Sequence, residues 1–96
     1  MTPEGIEKDD IKKYLNKLYP SLWYFMPYMA GFGRVGVPDI VGCYCGKFFA
    51  IEVKRPGKRP SPNQWRRMRE IEAVGGKTFW GDSAKVIAEF EAWISA

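Results

Sequence analysis

No histidine occurs anywhere in these 96 residues, and that absence removes the Ser-His-Asp triad, the Cys-His pair and histidine-ligated zinc. Any hydrolytic chemistry is left to carboxylates, lysines and a metal. Cysteine is scarce: Cys43 and Cys45 are the only two. They stand at i, i+2 on an expected strand, where they share a face and form no ordinary disulfide with each other. With no further thiol or imidazole to join them they make no zinc site, and they read as small residues filling space. There is no run of eighteen apolar residues and no basic-then-apolar leader. A cytoplasmic protein without a membrane partner is therefore expected. The glycine-rich "AGFGRVGVP" lacks the GxxxxGK[ST] pattern that cradles phosphates, so it reads as a flexible loop, and no nucleotide cofactor is expected. The chain has no internal repeat.

What is present is a composition 46% hydrophobic and 16% aromatic, globular in type and sized for one domain spanning residues 1–96. So much apolar surface on so small a body favours self-association. The net charge of +4 is unevenly spread. Lys54, Arg55, Lys58, Arg59, Arg66, Arg67 and Arg69 fall within one stretch that contains no acid, while acids outnumber bases elsewhere. A basic patch on a slightly acidic body suits a polyanion, although basic runs are often no more than solvated surface.

"TPEGIEKDDIKKYLNKLYP" reads as a helix, with Thr2 as cap, Pro3 in first position and acids in the first turns. Ile11, Tyr14, Leu15 and Leu18 form its apolar stripe, and Tyr19-Pro20 ends it. "SLWYFMPYM" reads as a strand that Pro27 assigns to an edge or a bulge. "DIVGCYC" and "FFAIEVK", joined by a turn at Cys45-Gly46-Lys47, read as a β-hairpin. A proline-broken basic loop follows. Ser61, Pro62 and Gln64 then open a helix with a capping box, and Gly75-Gly76 stops it. "KTFW" is a short strand, and "DSAKVIAEFEAWI" is a helix with Val86, Ile87, Phe90, Trp93 and Ile94 facing inward. The order αβββαβα implies an α/β layer structure with a mixed central sheet and helices on both sides.

The hairpin carries the chemistry. Side chains alternate along a strand, so Glu52 and Lys54 share one face while Phe49, Ile51 and Val53 point to the other. Asp39, directed by Pro38, starts the partner strand. In the simplest register it comes close to Glu52 and Lys54. Two carboxylates and a lysine at a strand end suit metal-assisted phosphodiester hydrolysis: the acids supply hard oxygen ligands for Mg²⁺ or Mn²⁺, the metal activates water, and the lysine orients water or stabilises charge on the phosphorane. The plainer alternative is a surface ion pair of Glu52 with Lys54.

Pro38-Asp39 followed thirteen residues later by Glu52-Val53-Lys54 resembles the PD-(D/E)XK nuclease superfamily. More narrowly, the chain resembles the virus-type replication-repair nuclease (VRR-NUC) family in its stand-alone phage form. The likeness runs through the first-helix glutamate, "RVGVPDIVG", "GKFFAIEVKRPGKRPSPNQ" and the later "GG". The resemblance implies the restriction-endonuclease-like fold, with Asp39, Glu52 and Val53 at the metal, Lys54 catalytic, and a first-helix acid adding a metal contact. Glu4 matches that acid and Glu7 competes with it; either also suits a helix N-terminus. Lys8 stands where the family often has glutamine. Gln64 matches a family glutamine at the active site, a role that competes with its place in the capping box. Arg55, Lys58, Arg59, Arg66, Arg67 and Arg69 would contact DNA phosphates, which position a duplex without reading sequence.

The resemblance further implies a Mg²⁺-dependent endonuclease, with Mn²⁺ able to substitute, that acts on branched DNA, in stand-alone members on Holliday junctions as a homodimer. A two-fold junction asks for two symmetry-related sites. The aromatic "WYFMPYM" is a candidate dimer face, with core packing as its other role. Rival readings are a flap-trimming or restriction-like nuclease on the same fold, a non-catalytic DNA-binding module, and an interaction protein that binds no metal.

Overall fold

The computed structural model describes residues 1–28 and 35–96. The elements follow the expected order: α1 (Pro3–Asn16), β1 (Leu22–Phe25), β2 (Ile40–Tyr44), β3 (Lys47–Val53), α2 (Pro62–Ala73), β4 (Lys77–Gly81) and α3 (Ser83–Ile94). The four strands lie in the sheet in that same order. β1, β2 and β3 form an antiparallel meander, and β4 runs parallel to β3, so the sheet is mixed. The parallel step needs a crossover, which α2 supplies.

Helix α1 starts where Thr2 Oγ1 accepts from the Gly5 N–H at 3.0 Å, and Pro3 occupies its first turn. It ends at Asn16, a turn earlier than Tyr19-Pro20, because the backbone tightens through Lys17, Leu18 and Tyr19 into i→i−3 bonds. Ile11 and Leu15 are buried, with Tyr14 and Leu18 packed beside them. On α3, Asp82 accepts from the Lys85 N–H as the cap, and Val86 and Phe90 face inward. These two helices cover one face of the sheet, against Phe49, Ile51 and Val53 of β3. Phe90 is the hub: its ring meets Phe49 and Phe79 at about 5 Å and Trp93 at 5.3 Å, mostly at the edge-on angles that ring quadrupoles favour. Helix α2 covers the other face over β3 and β4, where Trp65 meets Trp80 at 5.5 Å.

The first strand is shorter than "SLWYFMPYM" suggested. It stops at Phe25, before Pro27, and it is an edge, as the proline implied. Met29 and most of "AGFGRVGVP" lie outside the described residues. On β1, Leu22 is buried and Tyr24 packs on the core, but Trp23 is 63% and Phe25 49% exposed. Both rings sit on the face that α2 leaves uncovered, so core packing describes only alternate residues of this segment. Among the described residues, no helix is long and apolar enough to cross a membrane.

The hairpin turn corrects the reading of the cysteines. Tyr44 pairs with Lys47, which leaves Cys45-Gly46 as a two-residue loop with φ of 47° and 86°. Two positive φ angles define the type I′ turn whose twist matches the flanking strands. Cys45 is therefore a turn residue rather than a strand neighbour of Cys43, and both thiols are exposed instead of filling space. A cysteine in the left-handed region carries strain of order 1 kcal/mol, which asparagine tolerates far better. Cys45→Asn is expected to raise the melting temperature by roughly 4–8 °C, as about 1 kcal/mol does for a domain of this size. Calorimetry of the two proteins checks this, and an unchanged or lower Tm would refute the strain.

Candidate active site

Alternation along β3 sends Phe49, Ile51 and Val53 into the aromatic core and Glu52 to the opposite face, beneath α2. Register then decides who meets Glu52. Ile40 of β2 lies opposite Ile51, so Asp39, one residue earlier, arrives beside the end of β3. Its Oδ2 accepts from the Val53 N–H at 2.9 Å, which fixes the carboxylate to the strand end by the backbone itself. Gly36 seats the approach to Asp39: a Cβ there would lie 2.5 Å from the Asn63 carbonyl, so only glycine lets this loop press against the first turn of α2. Arg67 closes the same junction, donating from Nε to the Val35 carbonyl at 3.0 Å.

Glu52 is 2% exposed. Its Oε2 accepts from Gln64 Nε2 at 3.0 Å and lies 3.8 Å from Lys54 Nζ. Its Oε1 is buried without a hydrogen-bond partner among the described residues. Burial first, then a hydrogen bond that the protonated carboxyl makes with Asp39 and that neighbour's charge, push the Glu52 carboxyl up to about 9; Lys54 opposes the rise and Glu4 adds to it. A carboxylate confined next to another carboxylate binds a proton or a cation.

Gln64 resolves a competition that the sequence left open. Its Oε1 accepts from the Ser61 N–H at 2.8 Å, and its own N–H donates to Ser61 Oγ at 3.2 Å, completing the capping box. The same amide offers Nε2 to Glu52. One side chain does both because the two ends of the amide have opposite polarity.

The first-helix acids separate. Glu7 Oε1 accepts from both the N–H and the Oγ of Ser83, at 2.8 and 2.9 Å, and so pins α1 to the start of α3. Glu4 instead lines a cavity of about 490 Å³ together with Lys54, Arg55, Lys58 and Arg59. Arg66 and Arg69 are exposed on α2 away from that cavity. Arg67 is held by Val35 and by Glu70, at 2.6 Å from the latter. Lys8, on the same helix face as Glu4, puts Nζ 3.5 Å from Asp39 Oδ1. Sequence reasoning misses that contact, although the i, i+4 spacing from Glu4 would have brought it to the site.

Among the described residues, no three side chains of the His, Cys, Asp and Glu types gather as a metal cage. The donors present are Asp39, Glu52 and the Val53 carbonyl, the one group through which an aliphatic residue can be a ligand. Two carboxylates with open positions suit a hard cation that keeps waters and takes a substrate phosphate. The bare Oε1 of Glu52 is the acceptor such an ion would satisfy, so the residues fit a divalent metal.

No protein-family model matches the chain. Over 79 residues it is 33% identical to "Putative nuclease p44" of Acyrthosiphon pisum secondary endosymbiont phage 1, covering 81% of this chain and 85% of that protein. A solved structure described as "VRR_NUC domain" superposes with a TM-score of 0.79 at 23% identity, covering 95% of this chain and 97% of the other. That second likeness is one of fold.

The raised Glu52 carboxyl has a consequence for stability. Its pKa is higher folded than unfolded, so the stability it contributes is complete below its ordinary 4.5 and is lost as pH rises toward about 9. Glu52→Gln is neutral at every pH. In EDTA, wild-type stability should fall between about pH 5 and pH 9 more steeply than that of Glu52→Gln, and the variant should lead by at least about 1 kcal/mol at the alkaline end. Thermal melts across that range check this; parallel pH profiles would refute it.

Proposed function

The chain belongs to the VRR-NUC family of PD-(D/E)XK nucleases, and from that premise we propose that it is a Mg²⁺-dependent endonuclease that cuts branched DNA, Holliday junctions foremost, as a homodimer. The observation that carries the reading is the meeting of Asp39, Glu52 and Lys54 at the end of the hairpin, with one carboxylate oxygen buried and unpaired.

Asp39, Glu52 and the Val53 carbonyl would hold Mg²⁺, or Mn²⁺ in its place, with Glu4 close enough to add negative charge. When bound, the ion polarises the phosphate and lowers the pKa of water. The protein does the rest. Lys54, 14% exposed and held toward Glu52, places its ammonium where the attacking water is oriented and where charge grows on the phosphorane. Gln64 keeps Glu52 in one rotamer. Arg55, Lys58 and Arg59 line the cavity beside the strand end and hold phosphates, and Arg66, Arg67 and Arg69 extend the positive face along α2. Water attacks phosphorus in line and leaves a 5′-phosphate and a 3′-hydroxyl.

Two features support the finer parts of the reading. A purely DNA-binding module has no use for two adjacent carboxylates facing a polyanion, since without a cation the pair repels phosphate. The dimer draws support from the sheet face that carries Trp23, Phe25 and, across β2, Phe48, the last 46% exposed. Apolar patches of this kind favour protein contacts, and a two-fold pairing gives a symmetric junction two sites.

Asp39→Asn, Glu52→Gln and Lys54→Ala are each expected to lower the cleavage rate at least about 100-fold while leaving the circular dichroism spectrum unchanged. The assay compares a four-way junction, a 5′ flap, single-stranded DNA and linear duplex in Mg²⁺, Mn²⁺ and EDTA. Symmetric, metal-dependent cutting of the junction is the expected result. Full cutting by the Asp39 and Glu52 variants would overturn the site, and tight junction binding with no cutting in either metal would favour the binding module.

A further inference from the structure

The basic loop that leaves β3 has a cavity on each side. One is the cavity that Glu4 and Lys54 line beside the candidate active site. The other, about 350 Å³, lies between the loop and the β4–α3 corner, and Arg55, Lys58 and Arg59 line both. Trp80, Asp82 and Lys85 complete the far wall of the second cavity. The two are close neighbours, since the Lys54 N–H donates to the Gly81 carbonyl of that wall at 2.9 Å.

We propose that this second cavity is a phosphodiester subsite, taking the backbone phosphate that neighbours the scissile one on the strand being cut. The inference rests on the nuclease reading above and extends its contact surface to residues outside the family motif. Charge is the first argument. Four cations surround the cavity, and Arg55, Lys58 and Arg59 have no carboxylate partner among the described residues. Asp82 is the one acid in the lining, and it is occupied, accepting from the Lys85 N–H at 3.0 Å as the cap of α3. Two acids stand against these four cations, Asp82 in the lining and Glu89 paired with Lys85, and the positive excess that remains suits an anion.

Preorganisation is the second argument. Lys85 Nζ sits 3.9 Å above the centre of the Trp80 ring and donates to the Trp80 carbonyl at 2.6 Å; Glu89, at 3.2 Å, steadies it from the side. The ammonium is thus already held at the cavity wall in one rotamer, so little entropy is lost when it meets a phosphate. Trp80, braced by Trp65, fixes the wall on which that ammonium stands. Continuity is the third. A strand crossing the loop from one cavity to the other stays against the same two arginines and Lys58 throughout, which a free anion would not require.

The test is equilibrium binding of a fluorescein-labelled four-way DNA junction to the full chain in EDTA, over a series of KCl concentrations. Lys85→Met keeps the packing on Trp80 and removes the charge; its slope of log K against log[KCl] should be shallower than wild type by about 1. Lys77→Met, at the opposite end of β4, should keep the wild-type slope. A second pair of variants does not depend on Lys85 tolerating change. Gly57 lines the second cavity and not the first, has φ of 85°, and leaves open space for 4 Å around the point where a Cβ would stand; aspartate and asparagine both accept that backbone. Gly57→Asp should weaken junction binding roughly tenfold relative to Gly57→Asn. A wild-type slope for Lys85→Met, or equal affinity for the two Gly57 variants, would overturn the subsite while leaving the nuclease reading intact. A wild-type chain that neither binds nor cuts the junction would overturn both.

Discussion

Two carboxylates share one poorly hydrated corner of this fold, and everything nearby is arranged around that fact. Asp39 is tied down by the Val53 N–H, Glu52 by Gln64 and Lys54, and Lys8 gives Asp39 a positive partner of its own. Gln64 and Lys54 act on the same oxygen of Glu52, so once the group ionises its Oε1 is left over. Desolvation and like charge both oppose ionisation there, which is why the carboxyl rises to about 9. A site held in this way has its geometry set before any ion arrives, and the free energy of closing it is drawn from the rest of the fold.

The sheet makes that arrangement possible by keeping its two faces chemically apart. Below β3 lies an aromatic core centred on Phe90, and above it lies the polar site under α2. Because strand alternation sets the separation, a single register shift of the hairpin would exchange the two. The tight Cys45-Gly46 turn, the Asp39–Val53 bond and the clasp of Gly36 against Asn63 all act on that register. Gln64 then couples the helix start to the site, so that the orientation of α2 and the position of the Glu52 carboxylate are one geometric quantity.

Much of this was legible in the residues. Two helix starts were written in Thr2-Pro3 and Ser61-Pro62, because capping depends on neighbours in sequence. The hairpin and the Asp39–Glu52–Lys54 grouping followed from alternation and a short turn, which are local as well. What could not be read depended on distant packing. Gln64 serving both Ser61 and Glu52 requires knowing how α2 lies on β3. Glu7 and Glu4 look alike along the chain and part only when α3 docks against α1. The exposure of Trp23 and Phe25 follows from α2 covering β3 and β4 but not β1, which no pattern within "SLWYFMPYM" encodes.

The groups that define the site come almost entirely from one unbroken stretch, Gly36 to Gln64, made of a hairpin, a loop and the first turn of a helix. The first helix adds Glu4 and Lys8 at the periphery, and the β4–α3 corner and the outer face of β1 stand apart from the hairpin's chemistry. Such a layout lets what surrounds this segment change by substitution at the two ends of the chain without disturbing the hairpin. The segment itself behaves as one mechanical unit, since the Asp39–Val53 bond, the Gln64–Glu52 bond and the contact of Gly36 with Asn63 each fix the position of the next.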